Sequence, residues 1–143
     1  DAIVLWPDDP SMRAEVLWFG DTAGMPEGAR VSGGPESLWV GPGGLLLGST
    51  PAEIEAVNGG PFMMTAFENH NHGEVSNFLG GKLDAADDAG CRVSLSLSAG
   101  PDAPQAAVAA LTGGAVKCIL SDSPEVRAAQ PVLTEMSILF FKP

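Results

Sequence analysis

The sequence contains no tyrosine, and only seven of its 143 residues are lysine or arginine. It has two cysteines, two histidines and no apolar run approaching the length of a membrane-spanning helix. Each shortage removes a class of function. Against 18 acidic residues, the seven basic ones leave a net charge of −11. A chain so charged, with no local lysine and arginine cluster, repels phosphate backbones, so a nucleic acid is not an expected partner. The same repulsion argues against an anionic lipid surface, and the short apolar runs argue against direct membrane insertion. The lack of tyrosine argues against a carbohydrate platform or an antibody-like surface.

Catalytic signatures are missing as well. There is no Gly-x-Ser-x-Gly, no phosphate-cradling glycine loop and no Gly-x-Gly-x-x-Gly after a strand. Both histidines fall in one short segment, so neither cysteine has a fitting partner in its sequence context. No enzymatic activity and no cofactor are expected. The cysteines, Cys91 and Cys118, both lie in strand-like runs. A disulfide between neighbouring strands is the favoured expectation, and two buried thiols are the alternative.

What is present describes a globular chain. Apolar residues make up 45% and charged residues 17%, enough for a core, and the length suits one domain over residues 1–143. Strands are read at Ala2–Trp6, Ala14–Phe19, Phe62–Phe67, Gly73–Phe78, Val116–Leu120 and Leu133–Phe141. Gly20–Gly34 reads as loop, and Gly41-Pro42-Gly43-Gly44 reads as a turn between short strands at Leu38–Val40 and Leu45–Leu47. Cys91–Leu97 alternates, with Cys91, Val93, Leu95 and Leu97 on one face and Arg92, Ser94 and Ser96 on the other. An alanine-rich stretch over Pro101–Gly114 suits a short surface helix.

The best local signal lies at Thr50–Gly59. Thr50 is placed to cap a helix, Glu53 to close a capping box, and Pro51 to sit at the first helical position. Ile54 and Val57 form its buried stripe, and Gly59 supplies a left-handed stop. The fold expected is α+β, an antiparallel sheet of about six to eight strands with one to three short helices on one face.

Two stretches resemble each other. Asp8, Pro10, Arg13 and Ala14 match Asp122, Pro124, Arg127 and Ala128 at one constant offset. The expectation is a strand, a capped turn and a return strand used twice, in pseudo-repeat halves 1–40 and 41–143. In each copy the aspartate would cap the turn and the arginine would reach back to it. Reading Arg13 and Arg127 as paired ligand clamps is less economical, because local bonds already explain the spacing. The first half has no helix equivalent to Thr50–Asn58. Its sheet face, with Ile3, Leu5, Val16 and Trp18 as candidates, would then need cover from a missing N-terminal segment or from a partner.

The segment from Gly44 to Phe62, a glycine-bounded strand, a capped helix and then Asn58-Gly59-Gly60-Pro61-Phe62, resembles an uncharacterised family of exported bacterial proteins. Gly80-Gly81-Lys82-Leu83, Cys91–Leu97 and Asp122–Arg127 carry the resemblance further, so it covers most of the chain from Leu38 onward. It implies a periplasmic or extracellular location and no activity. A chain opening at Asp1 without a methionine is expected to be processed, truncated or part of a longer protein, and a mature exported protein would look like this. The strand–helix unit is also similar, at the level of fold, to the helix-plus-antiparallel-sheet modules of outer-membrane assembly lipoproteins and of β-lactamase inhibitory protein. Those modules bind proteins, so the resemblance implies a protein partner.

One segment has site-like chemistry. In an extended chain His70 and His72 project to one side, and Glu68 or Glu74 could join them around a transition metal. A polar hairpin tip accounts for the same residues more simply. Asp84, Asp87 and Asp88 lack the spacing and the later glutamate of a calcium loop. The function expected is a non-enzymatic, exported protein-interaction module, an accessory subunit of a larger assembly. The alternative is a metal-binding periplasmic domain using His70 and His72.

Overall fold

The computed structural model describes residues 1–18, 20, 24–67, 72–84, 90–112 and 118–140. Among these, eight strands form one antiparallel sheet: β1 (Ala2–Leu5), β2 (Ala14–Leu17), β3 (Gly28–Ser32), β4 (Met63–Thr65), β5 (His72–Asn77), β6 (Cys91–Ala99), β7 (Cys118–Leu120) and β8 (Pro131–Phe140). Across the sheet the order is β1-β2-β3-β8-β6-β5-β4-β7. Three helices accompany it: α1 (Pro51–Asn58), α2 (Gln105–Ala110) and α3 (Pro124–Ala129).

The first three strands form a meander, each paired with the next. β8 then lies between β3 and β6, pairing with both along much of its length. The last strand in sequence therefore joins the N-terminal meander to the rest of the sheet. β6 extends the stretch read at Cys91–Leu97 to Ala99; burial alternates as expected from Cys91 to Leu95, while Leu95, Ser96 and Leu97 are all buried.

α1 forms as its sequence dictates. Thr50 Oγ1 accepts from the Glu53 N–H at 3.3 Å, Pro51 opens the helix, and Gly59 closes it at φ 83°. The return bond of a capping box, in which the Thr50 N–H would donate to the Glu53 carboxylate, is not made among the described residues. Ile54 is fully buried against the sheet. One core cluster holds Ile54 of α1, Val126 and Ala129 of α3, and Met64, Leu95, Leu97, Leu133 and Met136 of the sheet. Sealing a side chain such as Leu95 there is worth roughly 1.5–3 kcal/mol.

Several segments depart from expectation. Gly28–Ser32 is a strand within a stretch read as loop. Leu38–Val40 and Leu45–Leu47 are not strands, and Pro42–Gly44 between them is a 3-10 turn. This segment instead runs as a strap. Leu38 N donates to Ser11 O, Trp39 Nε1 donates to Met12 O at 2.8 Å, and Gly41 lies against the Met136 side chain. A Cβ at Gly41 would stand 2.6 Å from Met136 Sδ, so a side chain there would push the Met136 side chain aside.

The two similar stretches fold differently. The first is the β1–β2 hairpin turn, whereas the second contains α3. Asp9 rather than Asp8 organises the first, with Oδ1 accepting from Ser11 N at 3.0 Å and from Ser11 Oγ at 2.6 Å. In the second, Ser123 rather than Asp122 caps the helix, accepting from Val126 N. Arg13 reaches Pro7 O and Glu15, and Arg127 reaches Glu55 of α1. Each arginine bonds a different element, and neither turns back to its matching aspartate. β1 and β2 are neighbours, but β7 is a sheet edge and β8 lies inside the sheet. The shared residues thus do not mark a repeated structural unit.

Asn58 is the polar pin of the fold. It is 1% exposed, donates through Nδ2 to Phe78 O at 3.0 Å and Gly60 O at 3.2 Å, and accepts from Leu83 N at 3.1 Å. It locks the end of α1 to the turn after β5. Gly81 must lack a side chain here, because its Cβ would come within 2.1 Å of Asn58 Oδ1. Replacing Asn58 by alanine leaves buried N–H and C=O groups unpaired. Asn58→Ala is expected to lower the unfolding free energy by about 3 kcal/mol in urea titration with an unchanged m-value. A loss below about 0.5 kcal/mol would show that water satisfies these groups.

Candidate interaction surface

Strand register assigns every sheet side chain to one of two faces, because directly paired residues share a face. One row runs Val4, Glu15, Arg30, Ser137 and Ser94 across β1, β2, β3, β8 and β6. It belongs to a polar face. Arg30 Nε donates to Glu15 Oε2 at 3.0 Å, and this bond leads the causes that raise the Arg30 pKa. Ser98 bonds Thr134 across the same face at 2.9 Å.

The other face carries the core. Its row through Leu5, Ala14, Val31, Met136 and Leu95 is covered at the helix side by the core cluster, and the strap contributes cover through Gly41 on Met136. At the end of this row Trp39 lies against Trp6, with ring centroids 6.3 Å apart and the planes tilted by 47°. The next row runs Ile3, Val16, Ala29, Ile138 and Val93. It holds no charged side chain, yet Ile3 is 56% exposed and Ile138 37%. Phe140, two residues beyond Ile138 on the same face, is 43% exposed. The core cluster takes no residue from β1 or β2. The helical layer stops above β8, and the apolar face continues past it.

The sequence candidates Ile3, Leu5 and Val16 lie on this face by register, and Trp18 continues it through its backbone pairing with Asp1. Ala29, Ile138 and Phe140 were not anticipated. Ala29 belongs to the unrecognised β3, whose Gly28-Ala29-Arg30-Val31-Ser32 alternation is a strand signal set inside a glycine-rich stretch. Ile138 and Phe140 joined the face only once β8 was placed beside β3.

The remaining candidates are scattered. His72 pairs with Ser98 and shares the polar face with Glu74, while His70 and Glu68 lie outside the described residues. Asp87 and Asp88 lie outside them too. Among the described residues no three His, Cys, Asp or Glu side chains converge as a metal site. Cys91 begins β6 and Cys118 begins β7, with β5 and β4 between them. Three inter-strand steps span about 14 Å, well beyond the Cα separation of a disulfide. The favoured intrachain bridge is therefore corrected: both cysteines are thiols.

Thr50 and Arg127 both line a cleft of about 370 Å³ between the start of α1, residues 100–102 and α3. There Arg127 Nη2 is bound to Glu55 Oε2 at 2.8 Å, so this guanidinium serves helix-to-helix attachment. No helix among the described residues is long and apolar enough to cross a membrane. No protein-family model, curated protein or solved structure matches the chain.

The hairpin turn at the end of the apolar face makes its own prediction. The side-chain bond from Ser11, then its backbone N–H, hold the Asp9 carboxyl below the ordinary aspartate range. A depressed folded pKa stabilises the turn above the unfolded pKa, and that support is lost as pH falls through the lower folded value. In a carboxyl-carbon NMR titration, Ser11→Ala is expected to move the Asp9 midpoint upward. An unmoved midpoint would mean that Ser11 does not hold the carboxylate.

Proposed function

We propose that this chain is a non-enzymatic, exported protein-interaction module, an accessory subunit of a larger assembly. Its contact surface is the apolar face formed by β1, β2, β3 and β8. The supporting observation is the row Ile3, Val16, Ala29, Ile138, which continues the core face beyond its helical cover with no charged residue. An apolar sheet face left in water forfeits about 25 cal/mol for every Å² that a partner would cover. Contiguous apolar surface of this kind marks a site of association. The opposite face carries Arg30, Glu15, Glu74 and a series of serines. Export rests on the resemblance carried by the segment from Leu38 onward.

A photo-crosslinking residue placed at Ile138 tests this reading, with one at Glu74 on the polar face as control. Irradiation of the protein at its natural level is expected to give a discrete protein adduct from position 138 and none from position 74. Equal adducts from both positions, or none from 138, would contradict it.

A further inference from the structure

We infer that Asn58-Gly59 is a self-modification site, closed in the folded chain and opened when α1 unfolds. The reaction is intramolecular imide formation with loss of ammonia. The inference is independent of the proposed interaction surface.

The sequence holds a single asparagine followed by glycine, and it is this pair. Glycine has no Cβ to shield its backbone nitrogen or to restrict its approach to the preceding residue. In an unfolded chain the Gly59 nitrogen therefore reaches Asn58 Cγ. The N–Cγ bond forms and the Cγ–Nδ2 bond breaks. Nδ2 leaves as ammonia, taking up through solvent the proton that the Gly59 nitrogen gives up. Water then opens the cyclic imide at either carbonyl. The products are an aspartate at position 58 or its β-linked isomer, in which the main chain runs through Cγ.

The fold engages every group that takes part. Asn58 is the last residue of α1 and is 1% exposed. Nδ2 donates to Phe78 O at 3.0 Å and to Gly60 O at 3.2 Å, and Oδ1 accepts from Leu83 N at 3.1 Å. The attacking nitrogen is held as well, because Gly59 N donates to Glu55 O at 2.8 Å. The carbonyl between them, Asn58 O, accepts from Lys82 N at 2.8 Å. Closing the imide turns the Asn58 side chain and backbone together, so these bonds must break first.

The products do not fit the place they come from. A carboxylate at position 58 has no N–H for Phe78 O and Gly60 O, and it sets a charge where water is excluded. The β-linked isomer lengthens the main chain between α1 and its stop at Gly59, which relies on φ 83°. An unfolded chain therefore has a limited time to return, after which the lock at the end of α1 cannot be remade.

Peptide mapping of the full chain by mass spectrometry, after incubation at mildly alkaline pH with and without urea, tests the inference. Acid and β-linked products at position 58 are expected to form at least ~100-fold faster in the unfolded chain, because the reaction follows the open population. Gly59→Ala is expected to slow the reaction in urea, where folding plays no part. Ile54→Val loosens α1 without touching the pair, and it should raise the rate in the folded chain by about 2- to 12-fold. Urea below the unfolding midpoint reads the same coupling without a substitution, the rate climbing as the open population climbs. Equal rates in the folded and unfolded chain, or no reaction in the unfolded one, would overturn the inference. After dilution from urea, chains modified at position 58 are expected to stay unfolded by circular dichroism while unmodified chains refold. Recovery of the native spectrum by modified chains would overturn the claim that the reaction traps them.

Discussion

The whole sheet depends on the pairing of β8 with β3 on one side and β6 on the other. Its ten residues carry the only link, among the described strands, between the N-terminal meander and the strands beneath the helices. This is a long-range contact, since Gly28 pairs with Leu139 and Ser32 with Glu135. The meander cannot dock until the end of the chain has arrived, so the entropy of that closure is borne by one strand. β8 also sets the face of the meander. Because Met136 is core, its partner Val31 and, through it, Ala14 and Leu5 point the same way.

That constraint produces the asymmetry on which the functional reading rests. A sheet of eight strands is wider than the layer three short helices provide. The helices gather above β8, β6 and β4, where Ile54, Val126 and Leu111 complete the core. The strap through Trp39 and Gly41 narrows the gap at one end of the meander but leaves the row containing Ile3 and Ile138 open. The chemistry of the two faces then differs sharply. Below lies a polar surface held by the Arg30–Glu15 pair, and above lies the apolar row from Ile3 to Ile138, which extends the core face and is flanked in the next row by Asp1 and Glu27. Covering that strip with protein is the same physical event as completing the core.

How much of this could be read in advance varies with the range of the determining contacts. α1 was legible to the residue because Thr50, Pro51 and Gly59 act on their own backbone. The alternation of β6 was legible because one buried face imposes a period of two. α3 carries the same kind of signal, a serine cap followed by proline, but the match between Asp122–Ala128 and Asp8–Ala14 drew those residues into a turn. β3 was hidden because its five residues lie among glycines and prolines, and its strand state is secured by β2 and β8 rather than by propensity. The intrachain disulfide failed for the same reason: strand order, not strand content, sets the separation of Cys91 from Cys118. An apolar sheet face in the first half was anticipated, and Ile3 and Val16 lie on it by register, with Ile3 exposed and Val16 half-buried. Its continuation through Ala29 and Ile138 needed the topology.

Carbene footprinting of the protein isolated from its natural setting, read by mass spectrometry at single residues, tests the central claim most directly. Leu38 is 67% exposed on the strap and serves as the internal reference. If the apolar face is an interface, Ile3, Ile138 and Phe140 will be labelled far less than Leu38 in the native protein and will approach it after mild dissociation. Labelling of Ile3 and Ile138 in the native protein at the level of Leu38 would contradict the account, because the face would then stand open to water in the working molecule.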